Sequence, residues 1–379
     1  MMLYFDNAAT TQPEADVLNS YIKVNQKFYF NPNSPHAKGV EAARLLDEAR
    51  LQIKQSLKLD DETILFTSGA TESNNMALKG AAYQKRPFGK TIITSVLEHP
   101  SVLEVMRQLE TEGFVLKYVN VTQQGKIDLS HLKSLMHSDV ILVTCMQVNN
   151  IMGQTQPINE IVRLLSAYPK VHFHVDAVQA LGKQPVSMNG IDSLSISGHK
   201  FNGLKGQGLL ILKNVHAITP IFHGGGQELG LRSGTVNLPN NVALAKAIRL
   251  ATLNQSNLMR HLQQINDIIR ERLENYPGIV VNSPIDASPH ILNISFPGVR
   301  GEVLVNAFSK RGVMISTTSA CSSKHAKINE VLNAMQIDKT NILGSIRLSF
   351  DHHTTLEDVT LFFEKLTEVY QEVEELLRK

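Results

Sequence analysis

VILVTCMQVNNIMGQTQPINEIVRLLSAYPKVHFHVDAVQALG, residues 140–182, holds two short apolar runs, VILVTCM (140–146) and VHFHV (171–175), separated by the helical pattern INEIVRLLSAYP. Nearly all-apolar, β-branched runs of this length suit strands buried on both faces, and a helix between two of them marks a parallel crossover unit. The alternation continues outward. TILFT (63–67), TIITS (91–95) and VLKYV (115–119) precede it, and SLSIS (193–197) and GLLIL (208–212) follow, with helical stretches such as PSVLEVMRQLETEG between several of them. The seven candidates predict an α/β domain on a mainly parallel sheet, with SLSIS and GLLIL close enough in sequence to form an antiparallel insertion.

Beyond Asn240 the pattern changes. One long helical stretch runs to Pro277, followed by ILNISF, the helical EVLVNAFSKR, VMIST, and a terminal helix opening at TTLED. There Thr354 and Glu357 have the spacing of a capping box. The expected organisation is an N-terminal segment (1–15) packing with a small α+β domain (251–379), and a large domain between them (16–250).

Composition narrows the function classes. Of 379 residues 42% are hydrophobic, enough for a substantial core, and 37 Lys plus Arg nearly balance 35 Asp plus Glu. A net charge of +2 without a basic block or stripe argues against nucleic acid as a direct partner. The opening MMLYFDNAATT lacks the charged-then-apolar pattern of a signal peptide, and no apolar run is long enough to span a bilayer. Two cysteines make no disulfide framework. These features predict a cytoplasmic globular protein without membrane contact.

Four stretches carry candidate chemistry. In TILFTSGATESNN a strand runs into Gly69, Ala70 and Thr71 and then a helix, whose N-terminal N–H groups suit a phosphate. In SLSISGHKFNG, Lys200 follows a strand end, where a lysine of lowered pKa can form a Schiff base with an aldehyde cofactor. In VHFHVD, residues 172, 174 and 176 share one strand face. His172, His174 and Asp176 are then either metal ligands, or Asp176 faces a positive group such as the ring nitrogen of pyridoxal phosphate (PLP). The metal reading lacks the further histidine of an H-x-H-x-D-H signature, because residue 177 is Ala. In STTSACSSKH, Cys321 stands among small hydroxyl residues near Lys324 and His325, surroundings that favour a reactive thiolate. Cys145, inside an apolar run, reads as packing.

Taken in order, YFDNAATT, NPNSPH, TSGATESNN, EHPSV, VNNIMG, HVDAVQ, SGHK, GGGQELGLRSGT, SACSS and SIRLSF resemble the NifS/IscS-like cysteine desulfurases, fold-type I, class V PLP enzymes, from end to end. The resemblance implies a large domain on a mainly parallel seven-stranded sheet with a smaller C-terminal α+β domain. It further implies PLP held covalently by Lys200, stacked under His99, paired at the ring nitrogen with Asp176 and at the phenolic oxygen with Gln179. Asn150, with Asn149 as the register alternative, would lie near that oxygen and the substrate. Gly69, Ala70, Thr71, Ser197 and His199 would hold the phosphate, and Thr235 would reach the phosphate of a partner subunit in a homodimer. Arg347 would clamp the carboxylate of L-cysteine, and Cys321 would take its sulfur as a persulfide. The sulfur would pass to an acceptor protein, either an iron–sulfur scaffold or a tRNA-thiolation enzyme.

Four departures from the family pattern stand out. Thr318 replaces a usual Gly, Leu229 a common Arg, and Asp351 a common Gly, close in sequence to Arg347. The segment after Cys321 also lacks the usual acidic and proline residues. Rival readings are a selenocysteine lyase or another class V lyase or aminotransferase, a metal-dependent hydrolase, and a non-catalytic binder of a sulfur carrier.

Overall fold

The structure is a computed structural model that describes residues 2–318 and 328–377. Thirteen strands are described: β1 (Leu3–Tyr4), β2 (Thr63–Thr67), β3 (Thr91–Ser95), β4 (Val115–Val119), β5 (Val140–Met146), β6 (His172–Asp176), β7 (Ser193–Ser197), β8 (Gly208–Leu212), β9 (Val280–Val281), β10 (Ile291–Ser295), β11 (Val313–Met314), β12 (Ser316–Thr317) and β13 (Ser345–Ser349). Seven form one sheet in the order β2-β8-β7-β6-β5-β3-β4. β8 runs antiparallel to both neighbours, and the other pairings are parallel. The insertion expected from SLSIS and GLLIL is therefore the single reversed strand.

Both faces of this sheet are covered, and strand alternation sorts the side chains between them. Phe173, Val175, Val143 and Ile196 belong to a core shared with buried residues of helices 37–57 and 238–253. The alternate positions Leu142, Leu210 and Leu212 pack with Met76, Ala77 and Ala81 of helix 70–85 and with Val102 and Met106 of helix 100–111. On β6 the positions that alternate with Phe173 and Val175 are His172, His174 and Asp176, all buried. A polar row thus lies within an otherwise apolar sheet face.

A second core joins Leu3 and Phe5 to helices 255–273, 301–310 and 356–377 and to β10 and β13. Its sheet has the order β12-β13-β10-β9, while β1 pairs in parallel with β11. Among the described residues no helix is long and apolar enough to cross a membrane.

Three sequence expectations change. The long helical stretch after Asn240 is two helices, Leu238–Leu253 and Gln255–Leu273, broken at Asn254 (φ −105°, ψ 7°). The first packs into the core of the large sheet and the second into the other core, which one straight helix does not do. VMIST divides into β11 and β12, which pair with different strands. The capping box sits one residue later than expected. The Asp358 carboxylate accepts Thr355 N–H (2.9 Å), and Thr355 Oγ1 accepts Asp358 N–H (3.0 Å). Thr354 is occupied elsewhere, its hydroxyl accepting Asp351 N–H at 3.2 Å.

Candidate active site

Asp176 ends β6, and Lys200 closes the short turn Gly198–Lys200 after neighbouring β7. Ligands of open α/β sheets bind at this carboxyl edge. A cavity of about 600 Å³ opens there, lined by Gly69, Ala70, Thr71, His99, Asn150, Asp176, Gln179, Ser197, His199, Lys200 and Arg347. Ala8, Ala9, Ser101, Met146 and Lys205 line it too, and none of these was singled out from sequence.

Lys200 Nζ donates to the carbonyls of Ala8 and Ala9, each at 2.7 Å. Burial lowers its pKa to about 8, with Arg347 adding to the effect against Asp6 and Asp176. About a tenth of the lysine is then the neutral amine at pH 7, far more than for an ordinary lysine, and that form has a lone pair for a carbonyl carbon. A second lysine, Lys183, is also buried and lowered to about 8, but it lines a different cavity and its Nζ donates to the Lys200 carbonyl.

The opposite wall is the start of helix 100–111. His99 is its N-cap, with Pro100 at the first helical position. Ring Nδ1 accepts Ser101 N–H at 3.1 Å, which fixes the ring's orientation through the helix end. His99 keeps an accessible face in the cavity, while burial of the rest lowers its pKa, with Lys200 adding to the effect against Asp176.

The two histidines of H-x-H-x-D are bonded within the protein, His174 through both ring nitrogens and His172 through Nε2. His172 Nε2 and His174 Nδ1 both bond Ser193 Oγ (2.7 and 2.8 Å), and His174 Nε2 bonds Asn74 Oδ1 (3.0 Å). Both ring nitrogens of His174 are thereby engaged, so the row does not converge on one ligand point with Asp176. Asp176 accepts Asn74 Nδ2–H at 2.9 Å and Val178 N–H at 3.0 Å. Among the described residues, the His, Cys, Asp and Glu side chains close enough together to hold a metal are Glu14, His352 and His353, outside this cavity. Cys145 is buried, with its thiol pKa pushed up by burial and its Sγ on the Met146 carbonyl (3.3 Å), which suits packing.

Burial lowers His172 and His174 to about 3, and lowers His290 well below its ordinary value. It raises Glu98 to about 8, with the charge of Asp176 adding to the effect. A histidine lowered on folding stabilises the fold above about pH 6.5, and that stability is lost as pH falls. A raised carboxyl acts the other way, its contribution being lost as pH rises from about 4.5 through 8. Below pH 6.5 three histidines outweigh one glutamate, so the urea midpoint is expected to decline from pH 6.5 toward pH 4. A midpoint that rises steadily from pH 6.5 to 4 contradicts this balance.

Arg347 lies on β13, fixed by Nη1 to the Asn150 carbonyl (2.8 Å) and Nη2 to Asp6 Oδ1 (2.9 Å). Among the described residues its Nε is buried without a partner, a guanidinium donor that the described chain does not use. The carboxylate paired with Arg347 is thus Asp6. Asp351 is turned away, accepting His353 N–H (2.9 Å) and Asn202 Nδ2–H (3.2 Å). Asn150 lines the cavity, whereas Asn149 is fully buried and holds the turn through Ile151 N–H and Met152 N–H, both 2.9 Å. Gln179 Nε2 donates to the Ala8 carbonyl at 2.9 Å. His199 Nδ1 lies 3.2 Å from Thr10 Oγ1, and burial with Lys200 lowers its pKa to about 4.

Thr235 is exposed and does not line this cavity. Cys321 lies outside the described residues. The flanks of its segment are joined, Asn329 Nδ2 donating to the Thr318 carbonyl at 2.6 Å, and the buried Thr318 hydroxyl bonds Ser345. Leu229 is 66% exposed at φ +60°; nothing in the chain explains the side chain there.

A cavity with a low-pKa lysine, a facing carboxylate, an N-cap histidine and a helix N-terminus defines a site for an aldehyde-bearing, anionic, ring-nitrogen cofactor. The aminotransferase class-V family model matches residues 3–362, and the chain belongs to that family, which implies PLP. It is 43% identical to a NifS/IcsS protein homolog of Lactobacillus delbrueckii subsp. bulgaricus, over 98% of this chain and 97% of the relative. It is 37% identical to the cysteine desulfurase IscS of Dictyoglomus turgidum, over 98% and 95%. A solved NifS-like protein superposes with a TM-score of 0.92 at 38% identity, over 98% of this chain and all of the other. A structure of SspA in complex with cysteine gives 0.81 at 30% identity, over 93% and 100%.

The residues present fit PLP. Lys200 would face the aldehyde, Asp176 the pyridine nitrogen, and the Gly69–Thr71 helix start with Ser197 and His199 the phosphate. Gly69 sits at φ +154° against Gly208, where a Cβ on Gly208 would lie 2.4 Å from Gly69 Cα. The loop that would cradle the phosphate therefore needs glycine at both positions.

Proposed function

We propose that this chain is a cytoplasmic, PLP-dependent L-cysteine desulfurase, which converts L-cysteine to L-alanine and places the sulfur on Cys321. One observation carries the reading: Lys200, Asp176, His99 and Arg347 line one cavity, within reach of a single cofactor and amino acid. In this reading Lys200 holds PLP covalently, Asp176 keeps the ring nitrogen protonated, and His99 lies against the ring. Gln179 and Asn150 serve the phenolic oxygen. Thr71 with the Gly69–Ala70 backbone, Ser197 and His199 hold the phosphate. Bound PLP supplies an electron sink that makes the α-proton of the amino acid removable.

Lys200 Nζ, once released, is the base for that proton. The Cys321 thiolate attacks the substrate sulfur. An S–S bond forms as the Cβ–S bond breaks, its electron pair passes to the carbon skeleton, and protonation of that skeleton yields alanine. The persulfide on Cys321 then passes sulfur to an acceptor protein, an iron–sulfur scaffold or a tRNA-thiolation enzyme. The loop bearing Thr235 also carries exposed Phe222 and Leu229, which supports a homodimer in which Thr235 serves the partner's phosphate. The large and small domains meet near the break at Asn254, by this reading.

The test is to supply PLP and L-cysteine, with a thiol reductant, to the purified protein and to measure alanine and sulfide. Equal amounts of both are expected; no alanine with PLP bound overturns the reading. Arg347→Lys keeps the charge but loses the planar fork. A charged hydrogen bond of about 2–3 kcal/mol is at stake, so kcat/KM for L-cysteine is expected to fall about 100-fold, mainly through KM. An unchanged KM would show that the carboxylate binds elsewhere.

A further inference from the structure

The hydrogen bonds around Asn74 admit one consistent set of directions. Asp176 Oδ2 accepts, so the amide nitrogen of Asn74 faces it at 2.9 Å and also faces Ser101 Oγ at 2.9 Å. Asn74 Oδ1 therefore faces His174 Nε2 at 3.0 Å and can only accept, so His174 carries its proton on Nε2. His174, neutral because it is fully buried, then accepts at Nδ1 from the Ser193 hydroxyl (2.8 Å), which in turn accepts from His172 Nε2–H (2.7 Å). At the other end Ser101 Oγ receives an amide proton from Asn74 and turns its own toward His99 Nδ1 at 2.9 Å. The same Nδ1 accepts Ser101 N–H at 3.1 Å. Two donors thus meet one ring nitrogen, which leaves Nε2 as the nitrogen available to the cavity.

We infer that Asn74 is a positioning residue whose one amide orients Asp176 and, through Ser101, holds His99 as its Nε2–H tautomer. The observation is the continuous chain His172–Ser193–His174–Asn74, branching to Asp176 and to Ser101–His99, its directions anchored by the Asp176 carboxylate, the Asn74 amide and the Ser101 backbone N–H. Asn74 is fully buried on helix 70–85, so its amide has no water to exchange with. A hydrogen-bond donor is thereby fixed at His99 Nε2, and Asp176 is held in place from behind. The consequence for catalysis rests on the roles proposed above for Asp176 and His99.

The tautomer is read from the 15N spectrum of histidine-labelled protein, with and without PLP, His99 being assigned by its absence in His99→Gln. A bare Nδ1 and a protonated Nε2 are expected; an Nδ1–H ring overturns the inference. In PLP-loaded Asn74→Ala and Asn74→Asp, kcat for L-cysteine is expected to fall about 10- to 100-fold, as for loss of other outer supporting partners. KM should stay within about twofold, and the cofactor absorbance band should move. Unchanged kcat and spectrum in Asn74→Ala overturn it. Should both variants fail to fold, Ser101→Ala must lower kcat and Ser101→Thr must restore it; equal rates in the two overturn the link to His99. Failure of the protein to take PLP contradicts the proposed function instead, while the tautomer is still decided in the cofactor-free protein.

Discussion

Lys200→Ala is expected to lower L-cysteine turnover by at least about 10³-fold, the scale of losing a covalent catalytic group. The variant should fold normally, because the ammonium group satisfies only the Ala8 and Ala9 carbonyls, which face a cavity open to water. It should also hold PLP only by the phosphate and ring contacts, so that dialysis strips it. Steady-state alanine production and cofactor content after dialysis measure both effects. A variant keeping a tenth of the wild-type rate would move the essential amine to another lysine, with Lys183 and Lys205 the nearest alternatives in chemistry and place.

Cys321→Ala is expected to be as severe for sulfur transfer, with an informative difference. Lys200, Asp176, His99, Ser197 and His199 already line the cavity, so PLP should bind without the Cys321 thiol and L-cysteine should still perturb its absorbance. Alanine formation should drop by about 10³-fold or more, because no thiolate is left to take the sulfur. Alanine formation at the wild-type rate would favour a lyase that releases sulfur or selenium directly. Thr318 and Asn329, the described residues on either side of that segment, are joined to each other, and Thr318 is anchored to Ser345 of β13, the strand of Arg347. Thr318→Gly therefore bears on that anchor rather than on the cavity.

The seven strands of the large sheet were legible because buried parallel strands concentrate β-branched residues into runs broken by helical periodicity. Asp176 and Lys200 were legible for the same reason: a residue at a strand's carboxyl end is placed by the fold class itself. What stayed hidden depends on long-range packing. Asn74 lies in the quoted TSGATESNN, yet its work depends on helix 70–85 crossing β6, 102 residues away along the chain. Ala8 and Ala9 act through backbone carbonyls, which no residue type announces. Asp351 looked like the neighbour of Arg347 because it is close in sequence, whereas Asp6 reaches Arg347 across 341 residues. The break at Asn254 has neither proline nor glycine to mark it, and follows from two cores claiming the two halves.

The most direct measurement traps PLP on the purified protein by borohydride reduction and maps the modified peptide by mass spectrometry. The label should sit on Lys200 alone, beside Asp176 and opposite His99. Labelling of Lys183 or Lys205 instead, or no covalent label with PLP present in excess, would contradict the central claim that this cavity is built around an amine at Lys200.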